Sequence, residues 1–171
     1  MVYFTRIESH NLILKKEILN LNDIISNAIS DTMNQIIVKE NKESSIKLEF
    51  VNSKDKWEED EVAIVVEADK GRISQVISNL LDNAVKFTNQ GTIRVAAEKN
   101  NGDIVIRIKD TGIGIDPEIL PRLFTKFTTK SNTGTGLGLF ISKSIVEAHG
   151  GRIWAENNRN AKGATFYLVY H

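Results

Sequence analysis

The order of the segments predicts an α+β fold, in which a mixed or largely antiparallel sheet carries helices on one face. Three amphipathic helical patterns are each followed by a pair of strand patterns rather than by a single strand. Doubly wound nucleotide-binding folds alternate single strands with helices, so this order argues against them. The dipeptide Asn101-Gly102 between two alternating segments also predicts an antiparallel hairpin.

The first helix is predicted over residues 21–37, where Asn20 and Asp23 resemble a capping pair. Apolar side chains recur there at the helical period and predict one buried face. They are Leu21, Ile24, Ile25, Ala28, Ile29, Ile36 and Ile37. Alternating patterns predict strands at residues 46–50 and 62–67, on either side of a charged loop at residues 54–61.

The second helix is predicted to begin after Asp69, which is a suitable N-cap. Its buried face is expected to contain Ile73, Val76, Ile77, Leu80, Leu81, Ala84 and Val85. Asn79, Asn83 and Lys86 then lie off the centre of that face. Asn79 and Asn83 are four residues apart, so they are neighbours on one side of the helix.

The later segments complete the sheet. Strands are predicted at residues 92–98 and 103–109, and again at residues 151–157 and 164–169. A loop rich in Thr, Lys, Ser, Asn and Gly covers residues 125–136. The third helix follows that loop and is expected to stop at Gly150-Gly151.

The bulk composition predicts one soluble, cytoplasmic domain. The chain has 171 residues, enough for a sizeable core. Its 22 basic and 22 acidic residues balance, which gives no field for nucleic acid or for an anionic membrane surface. There is no cysteine, so disulfides and thiolate metal sites are excluded. No apolar run approaches the ~20 residues of a membrane span, although a longer parent protein can still be membrane-anchored.

The second helix carries groups suited to a magnesium–nucleotide complex. Mg²⁺ prefers oxygen ligands, and the amide oxygen of Asn83 is one without a charge that would repel phosphates. Lys86, less than one turn further, can contact phosphate. Taken alone, Asn83 fits a surface or capping role better, and a lone helical Lys is usually only solvated. The downstream glycine motifs are what favour the binding interpretation.

Two glycine-bearing segments supply the remaining groups. Asp110 ends a strand and precedes Thr-Gly-Ile-Gly, so its carboxylate can accept a hydrogen bond from the amino group of adenine. An Asx turn at the strand end explains Asp110 equally well from its local sequence. Residues 134–138 open the third helix, and free N–H groups at a helix start bind anions. Lys126 and Lys130 flank this segment, which predicts a lid over phosphate.

In this order, the motifs resemble the catalytic ATP-binding domain of sensor histidine kinases. The wider superfamily includes DNA gyrase, MutL-type mismatch-repair proteins and heat-shock chaperones. Residues 79–87 resemble the N box, 110–114 the first glycine box, 123–127 the F box, 134–139 the second glycine box and 162–166 the closing box. The resemblance covers roughly residues 20 to 170.

The resemblance implies a two-layer sandwich of the Bergerat type, with a mixed, mostly antiparallel sheet of five strands on three helices. It implies ATP and Mg²⁺ as ligands, with Asn83 holding the metal, Asn79 and Lys86 in catalytic roles, and Phe124 and Phe127 anchoring the lid. The implied ATP-binding residues are Asn79, Asn83, Lys86, Phe87, Asp110, Gly112, Ile113, Gly114, Phe127, Lys130, Thr133, Gly134, Thr135, Gly136, Leu137, Gly138, Leu139 and Thr165.

The resemblance also implies phosphoryl transfer rather than hydrolysis. Hydrolysing relatives carry a Glu four residues before the magnesium Asn, and here that position is Asn79, which is a poor base. None of His10, His149 and His171 lies in the family's phosphoacceptor pattern. Residues 1–19 instead resemble the end of a dimerisation and phosphoacceptor hairpin with its linker, and residues 20–171 the catalytic domain.

The leading hypothesis is therefore a protein-histidine kinase fragment of a two-component system. It would transfer the ATP γ-phosphoryl to a His on a separate dimerisation segment, and from there to an Asp of a response regulator receiver domain. A Ser/Thr kinase of the anti-sigma-factor type and an ATP-switched, non-catalytic binding module are the alternatives. No nucleic-acid partner and no direct membrane contact by this fragment are expected.

Overall fold

A computed structural model describes residues 12–40, 45–52, 63–129 and 134–171. Its helices are α1 (Leu21–Glu40), α2 (Lys70–Lys86) and α3 (Gly138–Ala148), with a 3₁₀ turn at Leu120–Arg122. The strands are β1 (Lys16–Asn20), β2 (Ile46–Asn52), β3 (Val65–Asp69), β4 (Gly91–Asn100), β5 (Asp103–Asp110), β6 (Arg152–Asn157) and β7 (Ala164–Tyr170). The predicted charged loop at residues 54–61 lies outside the described residues.

The main sheet has five strands in the order β2-β4-β5-β7-β6. β2 pairs with β4 in parallel, and the other three pairs are antiparallel. The sheet is therefore mixed and mostly antiparallel. With the three helices this confirms the predicted α+β class.

The hairpin between β4 and β5 forms where the sequence predicts it. Asn101 and Gly102 have φ angles of 51° and 91°, the left-handed region that a two-residue hairpin turn requires. β4 and β5 then pair from Asn100 opposite Asp103 to Ile93 opposite Asp110. The register places Asp110 at the end of the ladder, where the chain leaves the sheet.

Helix α2 supplies the centre of the core. Asp69 accepts a hydrogen bond from the Arg72 N–H at 3.1 Å, so the predicted N-cap is confirmed. The buried face of α2 consists of Ile73, Val76, Ile77, Leu80, Leu81 and Ala84. It packs against α1 and α3 on either side and against β5 beneath. Each fully buried Leu or Ile contributes about 1.5–3 kcal/mol, so this face fixes the helix on the sheet.

A second, two-stranded sheet lies beside the main one. β1 pairs antiparallel with β3, from Lys16 opposite Asp69 to Asn20 opposite Val65. The sequence did not predict β1, and it predicted β3 as residues 62–67, of which residue 62 lies outside the described residues. The backbone N–H of Leu21 donates to the carbonyl of Ile64 at 2.8 Å, which ties the start of α1 to the segment before β3.

Candidate functional site

A cavity of about 620 Å³ opens between α2, the segment that follows β5, and the start of α3. This volume lies within the usual range for small-molecule sites. The residues that line it are Asn79, Asp82, Asn83, Lys86, Phe87, Asp110, Ile113, Gly114, Ile115, Asp116, Ile119, Leu123, Thr128, Thr129, Gly134, Thr135, Gly136, Gly138, Leu139, Ala164 and Phe166. Residues from all five predicted boxes thus meet around one cavity.

Asp110 is the buried carboxylate of the cavity, with 4% of its surface exposed. Its Oδ1 accepts hydrogen bonds from the backbone N–H groups of Gly112 at 2.9 Å and Ala164 at 3.3 Å. Burial raises the pKa of Asp110 above its usual value, and these two hydrogen bonds act in the opposite direction. Because Oδ1 is held from two sides, Oδ2 is the carboxylate oxygen available to a ligand.

Two glycines let the backbone close around Asp110. Gly163 has φ of 94°, and a Cβ at this position would collide with the backbone carbonyl of Asp110. A Cβ at Gly112 would collide with the carbonyl of Phe87, to which the Ile113 N–H donates at 3.1 Å. The segment after β5 therefore packs tightly both on the end of α2 and on the turn before β7.

Helix α2 presents Asn79, Asn83 and Lys86 to the cavity. The amide nitrogen of Asn79 lies 3.3 Å from both the Gly138 carbonyl and the Ser142 hydroxyl oxygen, and Ser142 is fully buried. These contacts use the amide donors of Asn79 and leave its oxygen for the cavity. Further along α2, the Lys86 ammonium lies 5.6 Å from the centre of its neighbour's ring, Phe87.

The start of α3 forms another wall of the cavity. Leu137 is the N-cap of this helix and makes no side-chain capping hydrogen bond, so its own side chain leaves the first N–H groups free. Gly138 and Leu139, the first two residues of α3, both line the cavity. Uncapped N–H groups and the positive end of the helix dipole favour an anion here.

The floor of the cavity is apolar. Ile119, Leu123 and Phe166 are buried side chains that line it. Phe124 packs edge-on against Phe166, with ring centres 6.3 Å apart and planes at 77°. A flat aromatic ligand can therefore bury one edge at Asp110 and cover apolar surface at the same time.

Four residues predicted at the site do not line the cavity. Gly112 packs against the carbonyl of Phe87, and Leu137 is buried at the helix cap. Phe127 has φ of 60° and is 71% exposed. Thr165 is buried and donates to Asn158 Oδ1 at 2.7 Å. Lys130 and Thr133 were also predicted, but lie outside the described residues.

Several lining residues were not predicted from sequence, although some carried a usable signal. Asp82 follows Asn79 by three residues on α2, so the helical period brings it to the same side. Ala164 and Phe166 alternate with Thr165 along β7, so the strand period places them on the inner face. The remaining missed residues gave no periodic signal because they lie in irregular segments; they are Ile115, Asp116, Ile119, Leu123, Thr128 and Thr129.

Residues 68–171 match the family described as histidine kinase-, DNA gyrase B- and HSP90-like ATPase. The match covers more than half of the chain and includes the walls of the cavity. The chain therefore belongs to this family, as the resemblance of its boxes predicted. The sensor protein KdpD of Clostridium acetobutylicum is 37% identical over 173 residues, which cover 97% of this chain and 18% of KdpD.

Solved histidine kinases share the fold. The catalytic domain of histidine kinase ThkA, in a nucleotide-free form, superposes with a TM-score of 0.76 at 31% identity, over 91% of this chain and 95% of that one. ThkA in complex with the response regulator TrrA matches with a TM-score of 0.72 at 29% identity, over 92% of this chain and 42% of that one. Full-length ShkA in complex with AMPPNP reaches a TM-score of 0.81 at 24% identity, over 99% of this chain and 34% of that one, which supports the fold alone.

The chain spans about a fifth of the length of its curated relatives, 18% of KdpD and 21% of the sensor protein FixL of Bradyrhizobium diazoefficiens. Within the four described ranges, no helix has both the length and the apolar character needed to cross a membrane.

Proposed function

We propose that this chain is the ATP-binding catalytic domain of a sensor histidine kinase. It transfers the γ-phosphoryl group of ATP to a His on a separate dimerisation segment, from which the phosphoryl passes to an Asp of a response regulator. One observation carries the proposal: a buried carboxylate with one free oxygen and an uncapped helix start lie on the same cavity. The carboxylate suits the base edge of a nucleotide, and the helix start suits its phosphate chain.

Asp110 is the adenine-recognition group in this proposal. Its Oδ2 accepts a hydrogen bond from the exocyclic amino group of adenine, while Oδ1 stays on Gly112 and Ala164. Guanine carries a carbonyl oxygen at the same ring position, which a carboxylate repels. The contact is buried, so the penalty for the wrong base is large.

The phosphates lie toward the other wall. The free N–H groups of Gly138 and Leu139, together with residues 134–136, cradle them, and Lys86 contributes a positive charge. No cluster of three or more His, Asp or Glu side chains fit to hold a metal occurs in the described ranges. Mg²⁺ therefore fits here only with phosphate oxygens and water as co-ligands, and Asn83 supplies the neutral protein oxygen. When bound, the ion neutralises charge on the phosphates.

Asn79 favours transfer to a protein over hydrolysis. Its amide donates to Gly138 and Ser142 at 3.3 Å each, so it links α2 to the phosphate-binding end of α3. An amide does not take up a proton near neutral pH, so this position offers no base to activate water. The site therefore favours a nucleophilic side chain of a protein over water as the phosphoryl acceptor.

Of the described histidines, His149 is a poor acceptor, because both of its ring nitrogens are occupied within the fold. His171 is exposed and its Nδ1 bonds Asp103 at 2.7 Å, but it lies outside the family's phosphoacceptor pattern. His10 lies outside the described residues. The phosphoryl acceptor in this proposal is a His on a hairpin of the parent protein. Residues 1–19 resemble the end of that hairpin, and residues 20–171 are the catalytic domain.

The complex of ThkA with TrrA supports a receiver domain as the later partner. Because the domain consumes ATP, we assign it to the cytoplasm even if the parent is membrane-anchored.

Calorimetric titration with a non-hydrolysable ATP analogue tests the binding half of the proposal. Wild-type protein should bind the analogue more tightly with Mg²⁺ than without it. Asp110→Ala should lose most of the affinity in both conditions, whereas Asn83→Ala should lose mainly the gain that Mg²⁺ provides. An exposed α1 substitution, Asp31→Ala, is the control. Absence of binding by the folded wild type would refute the proposal.

Incubation with ATP and a His-bearing dimerisation segment tests the transfer half. Acid-labile, base-stable phosphate should appear on the added segment. Acid-stable phosphate on a protein partner would instead identify a Ser/Thr kinase of the same superfamily. Nucleotide binding without any transfer, combined with ATP-dependent capture of the segment, would identify a non-catalytic switch.

A further inference from the structure

Asn158 links the end of β5, which carries the buried carboxylate, to the turn before β7 and to β7 itself. Its amide nitrogen donates to the backbone carbonyl of Asp110 at 2.9 Å and to that of Lys162 at 2.8 Å. Its amide oxygen accepts from the Thr165 hydroxyl at 2.7 Å. Both donor hydrogens and the acceptor oxygen of the side chain are thus hydrogen-bonded to groups of the fold, which fixes its rotamer. It lies at the end of β6, directly before the turn that leads to β7.

Asn157 fixes the far end of the segment that follows Asp110. Its Oδ1 accepts from the Ile115 N–H at 2.7 Å, and its Nδ2 donates to the Ile115 carbonyl at 2.8 Å. This pairing imitates one rung of a β-ladder between a side chain and a backbone. Residues 110–115 are therefore pinned at Asp110 by Asn158 and at Ile115 by Asn157.

The two asparagines act from behind the cavity. Asp110, Ile113 and Ile115 line it, whereas neither Asn157 nor Asn158 does. Any influence on a ligand must therefore pass through the pinned segment.

We propose that Asn158, assisted by Asn157, is a positioning residue that sets the base selectivity of the nucleotide site by fixing the backbone of Asp110. This inference rests on the proposed function, because it assumes that Asp110 recognises adenine. Asp110 Oδ1 is anchored to Ala164, which follows the turn that Asn158 closes through Lys162 and Thr165. Asn158 therefore fixes both the backbone of Asp110 and one anchor of its carboxylate.

Selectivity is sensitive to this arrangement because a hydrogen bond weakens steeply with misalignment. A movement of Asp110 by a few tenths of an ångström, with a rotation of its carboxylate, would spoil the contact to the amino group of adenine. Phosphate contacts at α3 would be unaffected, since they come from a different wall of the cavity. The signature of a positioning role is thus a loss of base discrimination rather than a uniform loss of affinity.

A chemical double-mutant cycle measures this signature. Wild type and Asn158→Ala are titrated with ATP and with purine riboside triphosphate, which lacks only the 6-amino group. A hydrogen bond to a charged, buried group predicts that wild type prefers ATP by roughly 10- to 100-fold. In Asn158→Ala the preference should fall to about 3-fold or less, while affinity for the purine analogue stays within about 3-fold of wild type.

Arg159→Ala, an exposed substitution in the same turn, is the matched control and should keep the wild-type preference. Thr165→Val is a second, milder variant, because it removes only the hydroxyl that orients Asn158 and keeps the branched shape. It should narrow the preference by roughly 3-fold. If Asn158→Ala does not fold, Thr165→Val decides the question.

The outcomes separate the two proposals. If wild type binds ATP with a strong preference and the folded Asn158 variant keeps it, the positioning role is wrong and the proposed function stands. An equal loss of affinity for both nucleotides means a merely structural role and also overturns the inference. If folded wild type binds neither nucleotide, the proposed function fails and the inference falls with it.

Discussion

The imidazole of His149 accepts a hydrogen bond from the backbone N–H of Asp69 at 3.1 Å, which joins the end of α3 to the beginning of α2. Since Nε2 is the acceptor, the ring proton of the neutral form is on Nδ1, which donates to the Ile145 carbonyl at 2.8 Å. The ring also meets Tyr170 edge-on, with centres 6.0 Å apart. These contacts give His149 a structural role.

Replacement of His149 by Ala should destabilise the protein by about 1–3 kcal/mol, because it leaves the Asp69 N–H without its partner. Urea unfolding at a pH where His is neutral measures the change. Glu147→Ala, in the same turn, is the control: its contact with Lys143 is an exposed pair at 3.8 Å and contributes little. Equal stability of the two variants would show that the link between α2 and α3 contributes nothing measurable.

Asp69 makes the stability of the protein depend on pH in the acidic range. Burial opposes its ionisation, but hydrogen bonds from the N–H groups of Lys15 and Arg72, with the charge of Arg72, lower the pKa of Asp69 below its usual value. A lowered pKa in the folded state stabilises the fold above the unfolded-state pKa of about 3.9. That contribution disappears as the pH falls through the folded-state pKa.

Asp69→Asn tests this pH dependence, because Asn retains capping ability but carries no charge. The variant should be less stable than wild type near pH 6, and the difference should shrink toward zero as the pH falls through the folded-state pKa. Urea titrations across this range measure it, with Asp31→Asn as the control for the loss of one exposed carboxylate. A difference that does not change with pH would contradict the assignment.

The buried face of α1 could be predicted almost completely from sequence. Two differences are at Thr32, which is buried but was not predicted, and at Ile37, which was predicted but is exposed. The buried face continues from Ala28 through Thr32 to Ile36, and the Thr32 hydroxyl donates to the Ala28 carbonyl at 2.8 Å. A polar residue therefore occupies a core position after satisfying its own hydroxyl. Ile37, predicted on the same face, is 58% exposed.

The site was less predictable than the helices, because its side chains come from strand ends and irregular segments. Asp110 and the glycines could be found from their motif, but Asn157 and Asn158 gave no local signal. Their partners lie 42 and 48 residues away in sequence. Thr165 was assigned to the site from its box; it is buried and bonds Asn158, while its neighbours Ala164 and Phe166 line the cavity. Strand parity decides such positions, and a motif alone does not fix it.

Asp110→Asn should stabilise the nucleotide-free protein while weakening nucleotide binding. Burial raises the pKa of Asp110, so the ionised carboxylate costs stability at neutral pH, and a neutral amide of the same shape removes that cost. The gain should be present above the folded-state pKa and should vanish as the pH falls below the unfolded-state pKa. Thermal unfolding from about pH 3 to pH 8, with and without nucleotide, measures both effects. A lower melting temperature for the nucleotide-free variant at pH 7 would contradict this reasoning.

Gly163 and Gly102 form a natural pair for testing the packing behind Asp110. Their φ angles, 94° and 91°, are nearly equal, so Ala at either position suffers the same backbone strain of about 1–2 kcal/mol. A Cβ at residue 102 meets nothing within 4 Å, whereas a Cβ at residue 163 collides with the Asp110 carbonyl. The difference between the two variants therefore isolates the contact.

Gly163→Ala should be less stable than Gly102→Ala by a further 1–3 kcal/mol or so, the usual effect of forcing a methyl group into a packed site. It should also weaken binding of the ATP analogue by at least about 10-fold, because relief of the clash moves Asp110. Gly102→Ala should bind the analogue like wild type, since the β4–β5 turn does not line the cavity. Calorimetry and urea unfolding on both variants supply the comparison. Equal affinity in the two would mean that the backbone of Asp110 can shift without consequence for the ligand, and that close packing at residue 163 serves folding alone.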